Sequence, residues 1–160
     1  GLSQGVMPLV SYNYASGNIT RMKQATYKTL KMTACALIAA CIFYVTCSDF
    51  LISCFIENPD VIAIGAVVLK GFALAMPFIG IDFVGVGVFQ ATGYGRMSLL
   101  FAIARKIILE IPFLFLLNAI WPLYGLGFAQ FCAEFILAIV SSVVLRRLFK
   151  GWESRSKAAI

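Results

Sequence analysis

Residues 76–96 read MPFIGIDFVGVGVFQATGYGR, and up to Phe89 the run is apolar residues, Gly and Pro broken by one carboxylate, Asp82. If this run crosses a bilayer, Asp82 sits where a charge costs roughly 2.5–3.5 kcal/mol on insertion scales. The composition says that it does cross. The 160-residue chain is 61% hydrophobic and only 12% charged, and its mean hydropathy is +0.93. A soluble domain carries about twice that charged fraction, so this chain has too few polar side chains to cover a water-facing globule.

The net charge of +6 does not point to nucleic acid, because of where the bases lie. Arg21, Lys23, Lys28 and Lys31 precede the first long apolar run, and Arg146, Arg147, Lys150, Arg155 and Lys157 follow the last. Bases that flank spans set membrane orientation. Cys35, Cys41, Cys47, Cys54 and Cys132 include no CxxC pair, and the chain has no His. A disulfide framework or zinc site is therefore not expected, and the cysteines read as small apolar side chains.

A span needs about 20 mostly apolar residues. Four segments qualify: residues 33–56, 61–92 (cleanest over 71–91), 98–117 and 123–145. Residues 1–14 read as the last turns of an earlier helix, and YASGNITR (14–21) reads as a loop broken at Gly17 and Asn18. The expected fold is all-α: four spans plus the end of a fifth, in one membrane domain over 1–160. The connections ENPD, GYGRMS and NAIWPLYG are short, so consecutive spans are antiparallel neighbours, with Trp121 and Tyr124 in an interfacial belt. Bases occur before the first span, at Arg96 and after the last span, and are missing from ENPD and NAIWPLYG. This alternation places the N-terminal loop, the Arg96 loop and a 146–160 tail in the cytoplasm.

Ionisable groups inside spans are the functional candidates of a membrane protein. Asp49 can nearly reach the interface, with Ser53 one turn away, and Lys70 can snorkel outward on its long stem. Lys106 and Glu110, spaced i, i+4, share a helix face and can pair; Arg105 can snorkel to the cytoplasmic side. Asp82 and Glu134 are the deep carboxyls, and neither has a base at i±3 or i±4. Their partners must come from other helices, water or a bound cation. The helix of Asp82 also carries Pro77 and the small residues Gly71, Gly80, Gly85 and Gly87, which suit a bent, closely packed element beside a cavity. The chain has no GxSxG, P-loop or paired-Asp motif, so the reading is not an enzyme and involves no organic cofactor.

GLSQGVMPLVSYNYASGNITRMKQA resembles the QG-x-x-P-L-x-S-Y-N-Y stretch of the multidrug and toxic compound extrusion (MATE) family, through Gln4, Gly5, Pro8, Ser11, Tyr12, Asn13 and Tyr14. Asn58–Pro59 is similar to the family's N-P before a helix. FQATGYGRMSLLFAIAR resembles its F-Q-x-x-G-x-G-x-x-S-L…R stretch, through Phe89, Gln90, Gly93, Gly95, Ser98, Leu99 and Arg105; Pro112 and Gly127 also fall at family positions. Ala15 departs from the Gly common after Y-N-Y. The resemblance implies a transporter of twelve spans in two six-span lobes, in which this chain supplies the end of span eight and spans nine to twelve. It also implies a secondary antiporter of the cell membrane that exports cationic or amphipathic compounds in exchange for Na⁺ or H⁺. In some branches an acidic residue on this helix helps bind the coupling cation. That role falls on Asp82, as a possible Na⁺ site, with Glu134 and Gln90 as further cation- or substrate-binding candidates. Gln4, Gly5, Pro8, Asn13, Gly93 and Arg105 are expected to be structural. The opening, with no Met and no signal-peptide zones, suggests the C-terminal part of a longer protein whose N-terminal remainder is a partner. A lipid-linked oligosaccharide flippase of the same superfamily and a non-transporting scaffold subunit are the alternatives. The first is disfavoured by the lack of several cavity-facing bases, the second by the deep carboxylates.

Overall fold

A computed structural model describes the backbone of residues 1–158 and the side chains through residue 155. It is helical, with no strand among the described residues: α1 (Leu2–Ala15), α2 (Ile19–Thr46), α3 (Ser48–Ser53), α4 (Pro59–Ala91), α5 (Gly95–Ile103), a π-helical segment (Ala104–Glu110), α6 (Ile111–Ile120) and α7 (Gly125–Ala158). α2, α4 and α7 are each long and apolar enough to cross a membrane.

Local chemistry explains the element boundaries. Asn58 caps α4 by accepting from the Asp60 N–H at 3.0 Å, with Pro59 at the first helical position. Asn18 caps α2 by accepting from the Arg21 N–H at 3.1 Å. The α1–α2 and α4–α5 turns are built alike. Gly17 (φ 71°) and Gly93 (φ 84°) take the left-handed conformation. The next N–H then closes back on the helix: Asn18 to the Asn13 carbonyl at 2.9 Å, and Tyr94 to the Phe89 carbonyl at 2.8 Å. This is the Schellman helix stop, which favours Gly at that position.

Packing follows from small residues. A Cβ on Gly71 would lie 2.6 Å from the Gly127 backbone, and one on Gly127 would lie 2.5 Å from the Val68 carbonyl oxygen, so α4 and α7 touch backbone to backbone. Lower down, Gly85 faces Ser141. The pairs 71/127 and 85/141 advance together, so α4 and α7 run parallel. Gly80 meets Leu37 of α2 and Gly65 meets Ile52 of α3, so the chain from α2 into α3 runs antiparallel to α4. α4 is central and touches α1, α2, α3, α5 and α7. At one end Trp152 packs edge-on to Tyr14 (5.2 Å between centroids) and Phe149 (5.6 Å), and reaches Tyr94 (6.0 Å). It thereby ties α7 to both Schellman turns.

Three boundaries differ from the sequence expectation. The first span begins at Ile19 rather than residue 33, so Arg21, Lys23, Lys28 and Lys31 ride on α2 instead of on a loop. Helix is favourable there because Asn18 caps it and Ile19, Met22, Thr26 and Thr29 bury one face. The expected tail is a continuation of α7, held by buried Leu145, Phe149 and Trp152; positions 159 and 160 lie outside the described residues. The third span is continuous over 95–120 but is divided by the π segment. Pro112 accounts for the division: it cannot donate to a carbonyl one turn back, and its ring crowds that carbonyl, which a locally wider turn relieves.

Candidate functional site

The deep ionisable groups converge. Asp82 on α4 is fully buried and Glu134 on α7 is 1% exposed. Between them lies Arg105 of the π segment, its side chain 12% exposed. Its Nη2 donates to Asp82 Oδ2. Its Nε lies 3.4 Å from Glu134 Oε1, close enough to pair but without the alignment of a hydrogen bond. The guanidinium carbon sits 4.4 Å from the Phe83 ring centroid, a cation–π contact. Asp82 Oδ1, Glu134 Oε2 and Ser141 Oγ are buried with no hydrogen-bond partner among the described residues. Buried polar atoms are seldom left so.

Depth explains the meeting. Asp82 lies about 14 Å from the Ala91 end of α4, and Arg105 about 15 Å above the start of α5. The Gly93 turn joins these helices as a hairpin, so the two residues come to the same level. The expectation that Arg105 snorkels to the cytoplasmic side is thereby corrected. Two buried carboxylates outcompete a distant interface for the guanidinium. Asp82 is not a lone carboxylate: its partner comes from another helix. The signal was present in the sequence, since Asp82 stands eleven positions before Gly93 and Arg105 twelve after it.

The other candidates lie elsewhere. Gln90 Nε2 donates to Ser98 Oγ at 2.8 Å across the α4–α5 turn. It is about 12 Å along α4 from Asp82 and fastens the turn rather than joining the carboxylates. Lys106 pairs with Glu110 as the spacing implied, Nζ to Oε2 at 2.6 Å. Lys70 and Asp49, both read as shallow residues near the interface, face each other across the α3–α4 hairpin at 3.5 Å. Gly93 has the positive φ that its motif position suggests, and Asn13 Nδ2 donates to the Leu9 carbonyl at 2.7 Å. Pro8 lies within α1. Gln4 borders a cleft of about 350 Å³ between α1, α2 and α4, whereas a Cβ on Gly5 would meet open space. No cluster of metal-ligating side chains occurs among the described residues.

Parallel and antiparallel membrane-length helices around a buried carboxylate–guanidinium–carboxylate triad define a polytopic membrane protein. A family model described as MatE matches residues 1–116. The chain belongs to that family. The multidrug export protein MepA of Staphylococcus haemolyticus (strain JCSC1435) is 33% identical over 149 residues, 92% of this chain and 32% of that protein. MepA of Staphylococcus saprophyticus is 32% identical over 146 residues, with 91% and 32% covered. The chain thus spans about a third of the length of these relatives. The fold matches the inward-facing conformation of a multidrug resistance MATE family transporter of the MOP superfamily, with TM-score 0.88 and 15% identity over 95% of this chain and 36% of that one. It also matches the Vibrio cholerae MATE transporter VcmN in the bent form, with TM-score 0.86 and 15% identity over 94% and 34%.

Proposed function

We propose that the full-length protein is a secondary antiporter of the cell membrane that exports cationic or amphipathic compounds in exchange for Na⁺ or H⁺, with Asp82 in the site that couples them. The observation that carries this is the buried triad. Two carboxylates and one guanidinium leave one formal negative charge in a low-dielectric interior, where an uncompensated charge is costly. One proton or one monovalent cation neutralises it, and so does one cationic substrate. Only one need be present at a time, and that exclusivity is what exchange requires. Arg105 acts as a tethered cation that covers Asp82 while the site is otherwise empty, and Glu134 is the second carboxylate that can receive it when Asp82 is taken. Pro77 and the π segment give the two helices that hold the site room to bend as occupancy changes. The end that carries the Arg21–Lys31 and Arg146–Arg155 bases faces the cytoplasm, following the distribution of positive charge.

The test is transport by the full-length protein in proteoliposomes. Ethidium movement against its gradient should follow an imposed Na⁺ or H⁺ gradient and stop when that gradient is collapsed. Movement indifferent to both gradients would remove the antiport reading.

A further inference from the structure

Outside the triad, positive charge gathers in one place. A groove of about 390 Å³ between the first turns of α2 and the end of α7 is lined by Lys23, Lys28, Lys31, Tyr27 and Glu153. A second hollow of about 310 Å³ shares Lys23 and Tyr27 with it and adds Arg146, Phe149 and Lys150. Lys23 is already matched by Glu153, Nζ to Oε1 at 2.7 Å. Lys28, Lys31, Arg146 and Lys150 form no ion pair among the described residues. The floor is aromatic, with Tyr27 stacked near Phe149 at 6.2 Å.

Orientation signals alone need no hollow, yet this cluster has one, and it continues into the membrane. Arg146 also closes the end of a furrow of about 270 Å³ between α4 and α7, walled by Phe78, Ile81, Ile139 and Val143. Ile139, Ser142, Val143, Arg146 and Lys150 fall on one face of α7, since they are spaced three, four, seven and eleven positions from Ile139. Ile139 and Val143 are 51% and 44% exposed. From Arg146 to Ile139 the furrow runs about 10 Å along the helix. A basic pocket opening onto an apolar furrow at the membrane boundary is complementary to a molecule with an anionic head and an acyl tail. Basic pockets between transmembrane helices on the cytoplasmic side bind anionic headgroups in this manner.

We propose that these surfaces together hold one anionic phospholipid, with its phosphate among Lys23, Arg146 and Lys150 and one acyl chain along Ile139 and Val143. A lipid seated there bridges α2, α4 and α7 at the end where Trp152 clasps the turns. Neither the triad nor the antiport reading is needed for this assignment.

The test is native mass spectrometry of the delipidated full-length protein, titrated with dioleoyl phosphatidylglycerol or dioleoyl phosphatidylcholine. The parent should retain one phosphatidylglycerol at least tenfold more tightly than phosphatidylcholine. Arg146→Gln/Lys150→Gln should bring phosphatidylglycerol down to the phosphatidylcholine level. Arg21→Gln/Arg147→Gln removes the same charge from outside both hollows and should keep the preference. Equal loss in the two double variants would show diffuse surface attraction and overturn the site. Val143→Trp, which fills the furrow with every charge in place, should weaken phosphatidylglycerol severalfold; unchanged retention would overturn the acyl assignment. Millimolar inorganic phosphate should not displace the lipid, and full displacement would mean a simple anion site instead.

Discussion

Arg105 offers the sharpest energetic test, because its removal orphans two carboxylates at once. Asp82 is fully buried and the Arg105 side chain is 12% exposed, so the pair falls outside the surface regime of about 0–1 kcal/mol. Removing one partner of a buried pair typically costs about 3–5 kcal/mol, chiefly through the charge left behind. Arg105→Gln should sit at the upper end, since Asp82 and Glu134 both lose their cation and must share a proton or admit water. Asp82→Asn should cost less, because Arg105 keeps Glu134 at 3.4 Å and the Phe83 ring at 4.4 Å. The double variant Asp82→Asn/Arg105→Gln keeps both shapes and removes the mismatch, so it should be more stable than Arg105→Gln alone. A coupling of about 3 kcal/mol, roughly a hundredfold in the folded-to-unfolded ratio, is expected from such a cycle. The assay is equilibrium unfolding of the full-length protein in mixed micelles, with all four members of the cycle measured together. If the single effects add to within about 0.5 kcal/mol, the two groups are not coupled and the triad is wrongly drawn.

Three further outcomes follow from the packing and the turns. Gly71→Leu should destabilise the protein by at least about 1–3 kcal/mol, because its Cβ would meet the Gly127 backbone at 2.6 Å and α7 must move away; Gly5→Ala, inside α1 with nothing within 4 Å, should lose no stability and gain up to about 1 kcal/mol of helix preference in the same unfolding assay. Gly93→Ala should cost about 1–2 kcal/mol through its φ of 84° alone, since nothing lies within 4 Å of an added Cβ, and the loss should appear as a lowered unfolding midpoint. Cysteines introduced at Asn58 and Asn118 in a Cys-free full-length background should react with an impermeant thiol reagent from outside intact cells; labelling of both only after lysis would reverse the orientation.

Much of the helix plan is legible in the sequence because its causes are local. Asn58–Pro59 starts α4, Gly17 and Gly93 stop helices, and the Lys106–Glu110 pair follows from i, i+4 spacing. The start of α2 at Ile19 was harder to read, because its basic first turns look like a loop to any hydropathy window. Their helicity rests on the Asn18 cap and on Met22 and Thr26 packing into the bundle. The third span hides its π segment for a related reason: Pro112 is visible, but whether a helix kinks or widens there depends on its neighbours. Asp82 and Glu134 stand out as deep charges from depth alone. Their partner was missed because each residue was weighed on its own helix. Pairing across a hairpin follows from equal distance to the turn, and the same rule joins Asp49 to Lys70 around ENPD.

The claim that ion and drug compete for one negative charge is tested most directly by Asp82→Asn in the full-length protein. Asn keeps the size and one acceptor of Asp82, releases Arg105 to Glu134, and leaves the site formally neutral before any cation arrives. In proteoliposomes the variant should insert like the parent, yet lose ion-gradient-driven efflux of ethidium. Its equilibrium affinity for ethidium should also stop depending on Na⁺ concentration and pH, whereas the parent's affinity should weaken as the coupling ion is raised. Parental efflux rates with unchanged ion dependence in Asp82→Asn would contradict the account and leave the Asp82–Arg105 pair as a structural bond between two helices.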